Sequence, residues 1–365
     1  MSEYMAMALE LARQATGRTS PNPLVGAVIV KDDKVVGQGY HQQAGTPHAE
    51  VHALKEAGDN ANGSTVYVTL EPCSHYGRTP PCAKALIEAG VSKVVAAMED
   101  PFPLVAGRGF KMLREAGIEV QIGDLEQEAR QVNEVFIKHV TTGLPFVVYK
   151  TAMSLDGKIS TTKGESQWIT GETTRAWVHK LRDRYDGIMV GINTVLADDP
   201  SLNCRIPGGK DPYRLLVDSN LSLPLSAKLI SSSPTAPLIV ATTNYASEEK
   251  IKALEDLGVQ VLVYSGTQVP LQEFLHDLGK RNITGILLEG GATLAWSMFE
   301  AGLVDKTHFC VAPKLLGGNS APGPLGGKGA ESLSEAISLC DLRVEQIGQD
   351  YVFTGYTESS QHKLR

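Results

Sequence analysis

Apolar residues recur at helical spacing through residues 2 to 17, and the pattern stops at Gly17. Two apolar segments follow, "LVGAVIV" and "KVVGQGY", joined by the polar "KDD", which predicts a β-hairpin. Beyond it the period switches back and forth. "AEVHALKEAG" predicts a helix closed by Gly58, and "STVYVTL" a strand running straight into "EPC". "PCAKALIEAG" reads as a helix with Pro at its start and Gly at its end, "VSKVVAAM" as a strand, and "GFKMLREAG" as a helix before "IEVQIG". Strands alternating with helices make this part α/β.

Gly and Pro interrupt the pattern at "TTGLP", residues 141 to 145, and a second α/β unit starts there. "FVVYKTAMSLDGKIS" predicts a strand and turn, and "TTRAWVHKLRDRY" a helix. "DGIMVG", "YRLLVDS", "PLIVAT", "VQVLVYS" and "ITGILLEGG" predict strands, and "ATLAWSMFEAG" a helix after the Gly pair. The Gly-rich "GGNSAPGPLGGKGA", residues 317 to 330, reads as a mobile loop or lid, and "TESSQHKLR" as a polar tail. The expected domains are residues 1–144 and 145–365.

Composition narrows the function classes. Lys and Arg number 34 against 41 Asp and Glu, a formal charge of -7, and aromatics are only 6%. Both weigh against a general nucleic-acid binder. Five cysteines is too few and odd a number for a disulfide framework, so a reducing compartment fits. The N-terminus lacks the pattern of a secretory signal, and no apolar run approaches membrane-spanning length. The expectation is a cytoplasmic protein with neither nucleic acid nor membrane as partner.

"HAE" places His48 two positions before Glu50, and "PCSHYGRTPPC" brackets a loop between Cys73 and Cys82. A catalytic zinc takes three protein ligands, from His nitrogen and Cys thiolate, and keeps one position open for water. His48, Cys73 and Cys82 supply three, and Glu50 stands close enough to move protons without binding the metal. H-x-E followed by P-C and a second Cys marks the zinc base deaminases, although their usual spacing is C-x-x-C. Here the second Cys falls after Pro81 at a helix start, which favours an anionic thiolate. Buried apolar cysteines, or a structural zinc with His75 or His41 as fourth ligand, are the alternatives on residues alone.

"HAEVHAL", "TLEPCSHYGRTPPC" and "PNPLVGAVIV" resemble the deaminase half of the bifunctional riboflavin-biosynthesis deaminase–reductase family, whose signature carries this long "TPPC" loop. The resemblance implies an N-terminal cytidine-deaminase-like three-layer domain. It also implies that Asn22 touches the base, that His41 lies by the substrate and that Arg78 sits near the substrate phosphate.

In the second half, "LLEGGATLAWSMFEAG" is a strand, a Gly pair and a helix, whose first amides suit a phosphate. "SLDGKIS", "PKLLGG" and "GINTVLADDPSLNCR" resemble the reductase half of the same family, a dihydrofolate-reductase-like α/β fold. That likeness implies NADPH contacts at Ala152, Trp168, Thr194, Asp198 and Ser219. The run Gly291, Ala292, Thr293, Leu294, Ala295, Trp296 and Ser297 would hold the cofactor's phosphate end. Ser166, Arg182, Leu202, Arg205 and Glu289 would hold the sugar phosphate, Arg suiting phosphate through its planar fork. On pattern alone the Arg residues could instead pair with Asp183, Asp186 or Asp199, Trp168 could be core, and Lys150 ends a strand near the substrate. Cys204, Cys310 and Cys340 read as packing residues.

The implied protein is a homo-oligomer associating through its reductase domain. It uses zinc and NADPH to deaminate a pyrimidine ribosyl phosphate and then reduce its ribosyl group to ribityl. A nucleic-acid deaminase with a binding module, and a redox-inactive scaffold, are the rival classes.

Overall fold

The computed structural model describes residues 3–75, 80–102, 105–231 and 236–358. The chain divides into two compact units, with the break between Gly143 and Leu144.

In the first unit, strands β1 (Gly26–Lys31) and β2 (Lys34–Tyr40) form the expected hairpin. Asp32 and Asp33 turn it with left-handed backbone at φ 48° and 56°, the twist a two-residue turn requires. β3 (Thr65–Val68) pairs antiparallel with β1, and β4 (Lys93–Ala96) and β5 (Glu119–Ile122) follow parallel to β3, giving the order β2-β1-β3-β4-β5 among the described residues. Alternation along β1 sends Ala27 and Ile29 to one face and Val28 and Val30 to the other. The first face packs on α2 (Ala49–Ala57), α3 (Cys82–Glu88) and α4 (Arg108–Glu115). The second packs on α1 (Glu3–Arg13), α5 (Glu126–Val132) and α6 (Glu134–Thr142). The result is a three-layer α/β/α sandwich. A Cβ on Gly37 would stand 2.3 Å from the Ala53 carbonyl oxygen, so only glycine lets α2 lie this close to β2.

In the second unit, nine strands make one sheet among the described residues. They are β6 (Phe146–Ser154), β7 (Gly187–Gly191), β8 (Tyr213–Val217), β9 (Leu238–Thr243), β10 (Gln260–Tyr264), β11 (Gly285–Glu289), β12 (Lys306–Ala312), β13 (Leu339–Ile347) and β14 (Asp350–Thr357). Their order is β10-β9-β8-β7-β11-β6-β12-β14-β13, parallel except that β14 runs antiparallel to both neighbours. Central strands such as "GILLE" are buried on both faces, as a helix-covered parallel sheet requires. α11 (Leu271–Lys280) and α12 (Ala292–Glu300) cover one face. α8 (Ile192–Asp198), α9 (Lys228–Ser231) and α10 (Glu248–Glu255) cover the other, while α7 (Glu172–Arg184) packs Trp177 against Cys310.

The Gly-rich stretch 317–330 is irregular but tied down rather than loose. Asp156 accepts from the amides of Leu316 (3.1 Å) and Gly317 (2.7 Å), Tyr149 Oη donates to Pro324 O (2.6 Å), and Gly326 N donates to Ala292 O (3.0 Å).

Candidate active sites

His48 caps the N-terminus of α2, and Glu50 follows in its first turn. Cys73 follows β3 on the loop that runs to α3, and Cys82 is the first residue of α3. The topology brings these elements together at one end of the sheet. His48 Nδ1 lies 3.2 Å from Cys82 Sγ and 3.6 Å from Cys73 Sγ. Around a tetrahedral zinc, N and S ligand atoms stand roughly 3.5–3.8 Å apart, so the donor set fits that ion. Neither His41 nor His75 joins the cluster among the described residues, which leaves three ligands and an open position.

Electrostatics agree with a cation site. The hydrogen bond from Cys82 and the His48 ring drive Cys73 down to about 4, whereas the Cys73 sulfur beside it drives Cys82 up. Cys82 thus keeps its proton and donates to the Cys73 thiolate, and only a positive ion between the two sulfurs would let both ionise. The α3 N-terminus contributes differently from expectation: its first amide, Cys82 N, donates to Cys73 Sγ at 3.2 Å, so the favoured thiolate is Cys73. Burial and the Cys73 charge push the Glu50 carboxyl up to about 7. A carboxyl poised near neutrality both takes and returns a proton readily.

The cluster opens into a cavity of about 780 Å³ whose wall includes Asn22, His41, His75, Asp100 and Arg108. His41 Nδ1 faces Pro47 O at 3.2 Å and therefore donates. Its Nε2 then accepts from Asn22 Nδ2, also at 3.2 Å, which leaves the Asn22 amide oxygen for a ligand. Burial lowers the His41 pKa, favouring this neutral ring. Arg78 lies outside the described residues. Glu71, which sequence reasoning passed over, accepts from the amides of Gly107 (2.9 Å), Gly109 (2.8 Å), Asp100 (3.2 Å) and Phe110 (3.4 Å). It ties the Cys73 loop to α4; its signal was a carboxylate just past a strand and two residues before a ligand.

In the second unit, a cavity of about 970 Å³ opens at the carboxyl ends of β6, β7 and β11. The strand register sets Lys150 directly beside Glu289. Lys150 Nζ stands 3.1 Å from Glu289 Oε2, and Arg182 grips the same carboxylate with Nε (3.1 Å) and Nη2 (3.0 Å). Burial alone would raise the Glu289 pKa, but the two cations hold it down to about 2. Arg182 is thus paired with Glu289, rather than with Asp183, Asp186 or Asp199.

Ala152, Ser166, Trp168, Thr194, Asp198, Leu202, Arg205, Gly291 and Ala292 all line this cavity. Ser166 Oγ donates to Asp198 Oδ1 at 3.2 Å. Trp168 is 58% exposed under the Arg175 guanidinium, so it is not a core residue. Gly290 and Gly291 take φ of 61° and 65°, and a Cβ on either would crowd Thr194 Oγ1 at 3.0 to 3.1 Å. The expected run is only partly available. Leu294 and Ala295 point into the core because a helix turns 100° per residue, Thr293 is exposed, and Trp296 packs under Gly327. Of that run, Gly291 and Ala292 reach the cavity wall, and Ser297 does not. Ser219 lies away from the wall too: its Oγ accepts from Val269 N at 3.2 Å, and its carbonyl from Thr243 Oγ1 at 2.8 Å. All five cysteines are free, and no helix among the described residues is long and apolar enough to cross a membrane.

Residues 1–98 match the cytidine and deoxycytidylate deaminase zinc-binding region, and residues 145–353 match the RibD C-terminal domain. The riboflavin biosynthesis protein RibD of Actinobacillus pleuropneumoniae is 46% identical over 350 residues, covering 95% of this chain and 93% of that protein. RibD of Escherichia coli is 44% identical over 355 residues, covering 95% and 96%. Among solved structures, Acinetobacter baumannii RibD superposes with a TM-score of 0.87 at 43% identity, covering 97% and 98%. A Thermotoga maritima diaminohydroxyphosphoribosylaminopyrimidine deaminase/5-amino-6-(5-phosphoribosylamino)uracil reductase gives 0.85 at 34% identity, covering 97% of each chain. With a zinc-binding deaminase unit and a reductase unit in one polypeptide, the chain belongs to the RibD family of bifunctional enzymes that act on small molecules in riboflavin biosynthesis.

Proposed function

We propose that residues 1–144 deaminate 2,5-diamino-6-ribosylamino-4(3H)-pyrimidinone 5′-phosphate, and that residues 145–365 then reduce its ribosyl group with NADPH. The product is 5-amino-6-(5-phosphoribitylamino)uracil. The observation that carries this reading is the convergence of His48, Cys73 and Cys82 beside buried Glu50 at a cavity. The activities named for the Thermotoga maritima relative support it.

In the deaminase, His48, Cys73 and Cys82 would hold zinc. When bound, zinc acts as a Lewis acid and lowers the pKa of water. Glu50 takes the proton from the attacking water and returns it to the leaving amine, so ammonia departs neutral. Asn22, oriented by neutral His41, reads the pyrimidine edge, and Arg78 meets the phosphate. Cys82→Ser is expected to lower bound zinc to well below one per chain, measured by metal analysis of the purified protein. Unchanged zinc would assign the ligands elsewhere.

In the reductase, Ala152, Trp168, Thr194 and Asp198 would hold NADPH, with the amides of Gly291 and Ala292 available to its phosphates, and the cofactor would supply hydride. The anomeric carbon of the ring-opened imine would be the hydride acceptor, and the adjoining nitrogen would take a proton. Ser166, Leu202, Arg205 and the Arg182–Glu289 pair orient the sugar phosphate, and Lys150 stabilises charge as hydride arrives.

Association runs through the reductase unit. The edge strand β13 leaves Leu342 and Val344 more than half exposed, and a second copy would cover them. A solution mass of one chain would rule this out. The enzyme works in the cytoplasm, where thiols such as Cys73 and Cys82 stay reduced.

Product mass tests the whole reading. Incubation with the diaminopyrimidinone ribosyl phosphate is expected to add about one mass unit through amine-to-oxo exchange. A further gain of about two, only with NADPH, marks hydride and proton delivery. Absence of either gain removes the corresponding half of the proposal.

A further inference from the structure

His179, Arg182 and Asp183 share one face of α7, at positions i, i+3 and i+4. Together they hold the loop that follows Ser201. Arg182 Nη1 donates to Asn203 O (3.1 Å), and the Cys204 thiol to His179 O (3.5 Å). Arg205 N donates to His179 Nδ1 (3.3 Å), and Lys210 N to Asp183 Oδ1 (2.7 Å). The backbone carrying Arg205 is therefore set by α7, and most directly by the His179 ring.

A ring nitrogen that accepts carries no proton. With Nδ1 accepting from the Arg205 amide, the His179 proton resides on Nε2. The residue lines the reductase cavity together with Arg182, Leu202 and Arg205. Burial first, then Arg182 and Arg205, with a smaller push from Lys150, bring its pKa down to about 4 against the pull of Glu289. The ring is therefore a neutral donor through the whole working pH range.

A phosphate monoester has three terminal oxygens, each accepting more than one hydrogen bond. Arg182 spends three of its five N–H donors, on Glu289 through Nε and Nη2 and on Asn203 O through Nη1, so two remain for a phosphate. Arg205 with the two spare donors of Arg182 still leaves acceptor positions of such a group unmatched. We propose that His179 completes the phosphate subsite of the reductase cavity, its Nδ1 fixing Arg205 and its Nε2–H donating to the phosphate of the ribosyl substrate. The inference rests on the reading of this unit as a reductase of a ribosyl phosphate. His179 is a binding and positioning residue and takes no part in hydride transfer.

Two substitutions separate its two contacts. His179→Asn keeps a side-chain oxygen for the Arg205 amide but is too short to donate into the cavity. His179→Gln places an amide N–H near the position of Nε2. Steady-state reduction by the full-length enzyme is compared on the deaminated ribosyl phosphate and on its dephosphorylated counterpart. His179→Asn is expected to raise KM for the phosphorylated substrate about tenfold, the loss of one hydrogen bond to a charged group. Its kcat, its KM for the dephosphorylated substrate and its NADPH affinity are expected to stay within about twofold, and His179→Gln to recover most of the lost affinity. An unchanged KM in His179→Asn, or an equal rise for both substrates, overturns the proposal. Absence of reduction by the unsubstituted enzyme would instead overturn the reductase reading on which it rests.

Discussion

Glu50→Gln is expected to slow deamination by about 10²–10⁴-fold while zinc stays bound and reduction of the deaminated intermediate continues unchanged. The side chain keeps its size, so the buried pocket around it keeps its packing. What is lost is the ability to take a proton and hand it back. Zinc should persist because the ligand atoms belong to His48, Cys73 and Cys82. Removing the carboxylate also removes a negative charge beside the Cys82 thiol, which makes ionisation of the metal-binding pair easier rather than harder. Reduction should be unaffected because its cavity belongs to the other compact unit. The check is a paired assay on one preparation, with metal content measured alongside. A simultaneous fall of both activities would contradict the two-site arrangement.

Glu289→Gln is expected to act on stability and on reduction together. The amide leaves Lys150 and Arg182 facing each other without an anion, a loss of about 3 kcal/mol for a buried pair. For a unit of this size the melting temperature should fall by roughly 10 °C. Reduction should drop by at least about tenfold because Arg182 and Lys150 lose their fixed positions. The pH dependence follows from the same carboxylate. Its folded pKa, about 2, lies below the ordinary 4.5, so its contribution is complete above about pH 5 and fades as pH falls toward 2. Thermal melts of the unsubstituted protein and Glu289→Gln should therefore converge in acid. A constant gap between them from pH 7 to pH 3 would mean that the carboxylate charge is not what stabilises the cavity floor.

The first site was legible in sequence because its ligands sit at element boundaries, which local patterns mark well. "HAE" opens a helix, and "PPC" opens the next. The direction of helix assistance was not legible, since the amide of Cys82 turns toward Cys73 only in three dimensions. Most of the first sheet followed from period switching. Helices α5 and α6 were missed because "EQEARQV" and "EVFIKHVTT" are separated by a single residue and carry no clear stop. In the second unit, strands buried on both faces were easy to read from apolar runs. The hairpin of β13 and β14 was not: residues such as Arg343, Glu345 and Gln346 make β13 read as a surface segment. The Arg182–Glu289 pair joins residues 107 positions apart, and no local pattern distinguishes Glu289 from the nearer aspartates. Leu294 and Ala295 show the limit of carrying over a run of residues, because a helix offers a ligand only its first amides and one face.

Glu71 gathers four backbone amides, those of Asp100, Gly107, Gly109 and Phe110, onto one carboxylate beside the loop that carries Cys73. None of these amides can be released to solvent alone without disturbing the carboxylate that holds the others. They should therefore exchange their hydrogens with heavy water as one cooperative group, at a rate set by the opening of the whole junction. Because Cys73 is two residues from Glu71, securing its sulfur on a metal slows that opening. Deuterium uptake at the start of α4 thus becomes a reporter of occupancy for an ion that has no colour and no magnetic signal of its own.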